Sequence, residues 1–185
     1  MCIQLLEPRL QPPLDPNFRP AVLANRHFQR AAGAGEQVVI GLERDSGEVS
    51  RYELRVFSAS DPRAAQNWRC VERIVKFLLW QRGGHTIYFG GPREIAERLA
   101  QEYAPGGARA FDYHFMSQQV YEKPLAVIAC RAGDVPAECE QGKQLGRNLQ
   151  GCRIGFDLGA SDRKVSAVID GEPVYSEEVV WEPRK

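Results

Sequence analysis

Gln37 to Phe57 reads QVVIGLERDSGEVSRYELRVF. Two runs rich in Val, Ile, Leu and Tyr, residues 37–44 and 49–57, flank Asp45-Ser46-Gly47. Apolar strands around an Asp/Ser/Gly turn predict a β-hairpin. In the second run Tyr52, Leu54 and Val56 alternate with Arg51, Glu53 and Arg55, so one face is expected to be buried and the other solvated. A half-buried hairpin needs helices to cover its apolar face. Ser60-Asp61-Pro62 combines capping side chains with a proline suited to a first helical turn, and Gly83-Gly84 supplies a stop, predicting a helix over residues 62–82. Trp68, Val71, Val75 and Leu78 recur at three- and four-residue spacing, with Ile74, Phe77 and Leu79 widening the stripe that should face the core.

Residues 85–89 (HTIYF) read as a short strand, and Gly90-Gly91-Pro92 opens a second helix ending near Tyr103. Phe111, Tyr113 and Phe115 alternate like a strand while residues 117–122 look helical; helix is the expectation for this stretch. Residues 125–130 form a buried strand in this reading, and residues 132–150, polar and aperiodic, form a connector. Strand, strand, helix, strand, helix, helix, strand is the order of an α/β layer with helices packed on a mixed sheet.

Upstream lies a different texture. Five of the twelve prolines fall within the first 20 residues, which predicts an extended arm over residues 1–36 rather than a helix or inner strand. The organisation expected is therefore an arm at 1–36, an α/β domain at 37–131, a connector at 132–151 and a final unit at 152–185.

Composition excludes several classes. Lys+Arg and Asp+Glu are both 24, and the nineteen arginines are dispersed among acids, so no broad basic field for nucleic acid is expected. No apolar run approaches the ~20 residues of a membrane span, and the first residues lack a secretory pattern, so a cytoplasmic location is expected. The five cysteines contain no Cys-x-x-Cys, and the three histidines are not placed to complete a zinc site. The paired glycines at 83–84 and 90–91 read as helix stops and turns, and His114 with Asp112 or Glu122 as an ordinary histidine beside acids. Ile40-Gly41-Leu42-Glu43 echoes a later segment and reads as chance similarity.

That later segment carries the chemistry. Residues 154–171 read IGFDLGASDRKVSAVIDG, and with Val174 to Trp181 they predict a three-stranded meander joined by a glycine turn and an Asp170-Gly171 turn. Asp157 ends the first strand, where it can hold a hydrated magnesium ion beside phosphates. Gly159 and Ala160 let the backbone approach an anion, Ser161 can donate a hydrogen bond, and Lys164 can neutralise charge.

The segment resembles the opening phosphate-binding hairpin of the actin-like ATPase superfamily, and within it the ROK family (repressor, open reading frame, kinase), whose nucleotide domain starts with an I-G-x-D-I/L-G-G-T-K-like strand and turn. The resemblance covers residues 152–181 and implies ATP and Mg²⁺ as cofactors. Asp157 matches the acidic residue near metal and phosphates, Gly159 and Ala160 the glycine pair, and Ser161 the hydroxyl residue. Asp162 stands where the family has lysine, and the nearest lysine is Lys164. The fold class implied is an N-terminal mixed-sheet α/β domain followed by the first meander of an actin-like, RNase-H-like ATPase domain. The function implied is the front part of a glucokinase-like sugar kinase, with nucleotide and sugar as partners of the full-length protein and homo-oligomers compatible with it. The family's catalytic aspartate lies downstream of this hairpin, and 28 residues follow Asp157, so no catalytic residue is assigned and the chain alone is expected to be inactive. The other expectations are a ROK-type transcriptional regulator, with residues 67–83 and 92–103 as leading helices, and a non-catalytic interaction or sugar-sensing module.

Overall fold

A computed structural model describes residues 8–18, 20–140 and 148–182. The chain divides into two units, residues 1–141 and 142–185, each described by itself.

In the first unit, strand β1 (Glu36–Glu43) and strand β2 (Val49–Val56) form the expected antiparallel hairpin, with Ile40 opposite Tyr52 and Leu42 opposite Ser50. On its other edge β1 pairs antiparallel with β3 (Thr86–Gly90), which pairs parallel with β4 (Ala126–Cys130). The order β2-β1-β3-β4 makes β1 and β3 the inner strands of a mixed sheet. Val38, Val39, Ile40 and Leu42 are accordingly buried. Residues 125–130 depart from the expected buried strand: Leu125 is buried, but β4 lies at the sheet edge and Ile128 is exposed.

The first correction concerns the arm. Residues 21–32 are helix α1 (Ala21–Ala32), a short turn follows at residues 33–35, and among the described residues 8–18 no helix or strand forms. Pro20 sits at the N-cap, where a proline costs no intrahelical hydrogen bond, and Ala24, Phe28 and Ala32 repeat every fourth residue into the core. The second concerns helix α2 (Asn67–Arg82), which starts five residues later than expected. Asp61 instead holds a turn of its own, accepting from the Arg63 backbone N–H at 2.8 Å and its guanidinium at 2.8 and 2.9 Å, and a short 3₁₀ turn (Ala64–Gln66) comes next. The helix then begins where buried Asn67 grips the end of β2, its amide donating to the Phe57 carbonyl at 2.7 Å and its oxygen accepting from the Phe57 N–H at 3.0 Å.

The stripe of α2 is also rotated from its expected centre. Val71, Val75 and Leu79 are fully buried, Trp68 and Leu78 pack half-buried against the core, and Phe77 faces solvent. Helix α3 (Arg93–Glu102) buries Ile95, Ala96 and Leu99. Residues 110–120 are helical as expected, in the form of α4 (Ala110–His114) running into a π-helical stretch (Phe115–Val120). All these helices join one hydrophobic core with Phe28, Ile40, Ile87 and Phe89.

The first half of the expected connector belongs to this unit. A 3₁₀ turn (Ala132–Asp134) leads to buried Val135, whose carbonyl accepts from Arg51 at 2.9 Å, and Cys139 bridges to Val49. Residues 141–147 of that connector lie outside the described residues.

The second unit is an antiparallel meander of β5 (Cys152–Leu158), β6 (Asp162–Ile169) and β7 (Glu172–Val180), as the alternation predicts. The β6–β7 turn places Asp170 at φ 50° and Gly171 at φ 91°, the double positive φ of a two-residue hairpin turn, which an Asp-Gly pair tolerates.

Candidate functional site

The register of the meander sorts its side chains into two faces. Ile154 lies opposite Ala167, which lies opposite Tyr175; Phe156 lies opposite Val165. Directly paired residues in antiparallel strands share a face, so these form one largely apolar face, which Glu177 opposite Val165 and Arg163 opposite Leu158 interrupt. It is open: Ile154, Phe156 and Leu158 are about 70% exposed. On the opposite face Asp157 pairs with Lys164, which pairs with Glu178, a charge ladder of alternating sign across all three strands.

The five residues singled out from sequence therefore gather at one end of the meander. Asp157 is the penultimate residue of β5, residues 159–161 form the turn, and Lys164 returns beside Asp157 on β6. Gly159 is favoured by close approach: a Cβ there would stand 3.0 Å from both the backbone oxygen and the carboxylate of Asp162, which would have to give by a few tenths of an ångström. Ala160 and Ser161 are exposed.

Sequence reasoning missed what shapes this turn. The Trp181 indole N–H donates to the Gly159 carbonyl at 2.8 Å, and its backbone N–H donates to the Ser161 carbonyl at 3.1 Å. The residue after β7 thus clamps the β5–β6 turn. Its only sequence signal was an aromatic residue closing the last apolar run.

The electrostatics weaken one expected role. Lys164 Nζ lies 3.5 Å from Asp162 Oδ1 and 3.6 Å from Glu178 Oε1. Asp162 first, then Glu178, raise the lysine's pKa by stabilising its charge. A lysine held by two carboxylates has little net positive charge to offer a polyphosphate. Asp157 is exposed near the end of β5, beside the small-residue turn. Among the described residues no three His, Cys, Asp or Glu side chains converge as a metal site.

Other sequence candidates separate. His114 Nε2 lies 3.1 Å from the Pro105 carbonyl, whereas Asp112 is buried against Trp80 and Lys76, so they form no acid–base pair. β3 lies between α2 and α3, so these are not the consecutive helices of a helix-turn-helix. The echo strand at Ile40 is an inner strand, whereas β5 is an edge strand. Among the described residues no helix is long and apolar enough to cross a membrane.

No protein-family model, curated protein or solved structure matches the chain. The reading of the site therefore rests on its geometry and on the resemblance of residues 154–171.

Proposed function

We propose that residues 152–180 are the first phosphate-binding meander of an actin-like ATPase lobe of ROK type, and that the chain is the front part of an ATP-dependent sugar kinase. The observation that carries this reading is the placement of Asp157 one residue before a turn of small residues, within the strand–turn–strand–turn–strand order that the resemblance requires. Asp157 would hold hydrated magnesium through water, Gly159 and Ala160 would admit the phosphates to the backbone, and Ser161 would donate its hydroxyl. Bound Mg-ATP would supply the transferable phosphoryl group and the neutralising cation. In this reading further elements of the lobe cover the apolar face of β5 and β6.

Adding Mg-ATP to the full chain and following amide signals by NMR tests this directly. Millimolar affinity is expected, about 4 kcal/mol, because one meander encloses little of a nucleotide. Gly159, Ala160 and Ser161 should shift first, Asp157→Asn should reduce the magnesium dependence, and no glucose phosphorylation should be detected. Shifts centred on residues 83–91 would overturn it, and sugar-kinase turnover abolished by Asp157→Ala would overturn the reading of this chain as a front part inactive by itself.

A second reading, an interaction module, is favoured by one observation. Lys164 is already engaged by Asp162 and Glu178, which leaves that lysine little charge to offer a polyphosphate. A turn that stays silent in the titration selects that reading.

A further inference from the structure

The first unit carries a groove that the phosphate reading does not use. It lies between α1 and α2, with a volume of about 960 Å³. Its apolar lining is chiefly Val22, Ile74, Phe77 and Leu78. Its charged lining is all of one sign: Arg26, Arg30, Arg73, Lys76, Arg82 and Arg109, with no Asp or Glu among the described residues. Three of these cations are matched by acids that do not line the groove. Lys76 pairs with Asp112, Arg109 with Glu72, and Arg82 with Glu140. Arg26, Arg30 and Arg73 have no carboxylate partner among the described residues.

This clustering is local. Residues 1–141 contain 17 Lys and Arg against 17 Asp and Glu, so the unit as a whole is neutral. A neutral unit offers no long-range field for a polyanion, and only Phe77 and Tyr52 in the lining could stack on bases. The walls suit a different guest. α1 lines the groove at 22, 25, 26, 29 and 30, and α2 at 73, 74, 77, 78, 81 and 82, so each helix presents at least two turns. Two helical walls with a mainly aliphatic floor form the seat of a third helix, whose diameter is about 10 Å. Unmatched arginines on both walls select carboxylates along its edges.

The geometry points to this groove as the docking site for a short acidic amphipathic helix of a partner protein, its aliphatic stripe on Val22, Ile74, Phe77 and Leu78 and its Asp or Glu residues against Arg26, Arg30 and Arg73. It is a helix-in-groove contact with charge fixing the orientation.

The test uses the full chain and a labelled synthetic helix of about 14 residues, roughly 21 Å long, with leucines on one face and glutamates on its flanks. Fluorescence anisotropy should give saturable micromolar binding. Scrambling the same residues, or the double change Arg26→Glu and Arg30→Glu, should weaken it about tenfold or more, the scale set by losing close charge pairs and apolar contact. Arg73→Glu should do the same. Arg93→Glu, an exposed side chain at the start of α3 and outside the groove, should leave affinity unchanged, and circular dichroism checks that each variant is folded. Because Arg26 and Arg30 are exposed, the double variant keeps the test informative if Arg73→Glu unfolds. Equal binding of the helix and its scramble would overturn the proposal. So would failure to saturate, or tighter binding of a single-stranded oligouridylate or of phosphatidylglycerol vesicles than of the helix.

Discussion

Asp112 shows how much one buried carboxylate can organise. It is 1% exposed and accepts from the Trp80 indole N–H at 2.6 Å and from Lys76 Nζ at 3.2 Å, with Arg109 4.0 Å away. A buried charge is tolerated only when such partners replace its water. Lys76 remains 40% exposed, so it can turn to solvent if the carboxylate is removed, and the exposed Trp80 loses its acceptor. Asp112→Ala should therefore cost about 1–3 kcal/mol in urea denaturation, the loss of hydrogen bonds to a charged acceptor, since both Trp80 and Lys76 can reach solvent. Asp112→Asn, which keeps an acceptor, should cost less. Cys70, one helical turn before Ile74, gives a pH prediction. Burial pushes its thiol from an ordinary 9.0 up to about 12. The folded state holds this proton more tightly than the unfolded one, so the thiol's contribution to stability is complete below pH 9 and is lost as pH rises from there through about 12. In the native protein Cys70 should resist a thiol reagent at pH 8 while exposed Cys139 and Cys152 react. Rapid modification of Cys70 without unfolding would contradict its burial.

At the scale of elements, helix α2 separates residues that its sequence makes look alike. Leu78 and Leu79 are adjacent, yet Leu79 is fully buried and Leu78 half-buried beside the groove. Leu79→Ala should cost about 2–5 kcal/mol, as core truncations do, and Leu78→Ala clearly less; equal losses would mean that the helix is rotated from the orientation described. The period of α2 was legible because Val71, Val75 and Leu79 repeat every fourth residue, but a wide apolar stripe leaves its centre undetermined by about one residue. Its start was not legible. Ser60-Asp61-Pro62 carries a cap signal, and only the tertiary grip of Asn67 on Phe57 decides where the helix begins. α1 was hidden by its prolines, although Ala24, Phe28 and Ala32 followed by Gly33 form a helical repeat and a stop. The order of the meander was legible from its turns, Asp170-Gly171 above all, whereas the early start of β6 at Asp162, the irregularity at Ala167/Val168 and the Trp181 clamp were not.

The whole molecule joins a unit with a core to a unit without one. Cations from α1, α2 and Arg109 meet only through tertiary packing, so a one-dimensional reading saw them as dispersed. The same holds for residues 132–139, whose turn-like composition concealed Val135 packed against the first sheet. In the first unit β1 and β3 are inner strands of the mixed sheet, and the buried side chains form one connected cluster. In the second, none of the described residues 148–182 is buried, and the apolar face of β5 and β6 is open. Cross-strand pairs alone are worth about 0.2–1 kcal/mol each, too little to hold a sheet closed as firmly as a core does. Hydrogen exchange should therefore divide the chain. Amides of β1 and β3 should exchange only through global opening, while those of β5, β6 and β7 should exchange through local opening at far lower free energy. If Mg-ATP occupies the turn, protection should rise first at the β5–β6 end, where Asp157, Gly159 and the Trp181 clamp meet, and least at the Asp170-Gly171 end. Protection of residues 152–180 equal to that of β1 in the free chain would show that the apolar face of the meander, with Ile154, Phe156 and Leu158, is covered in solution.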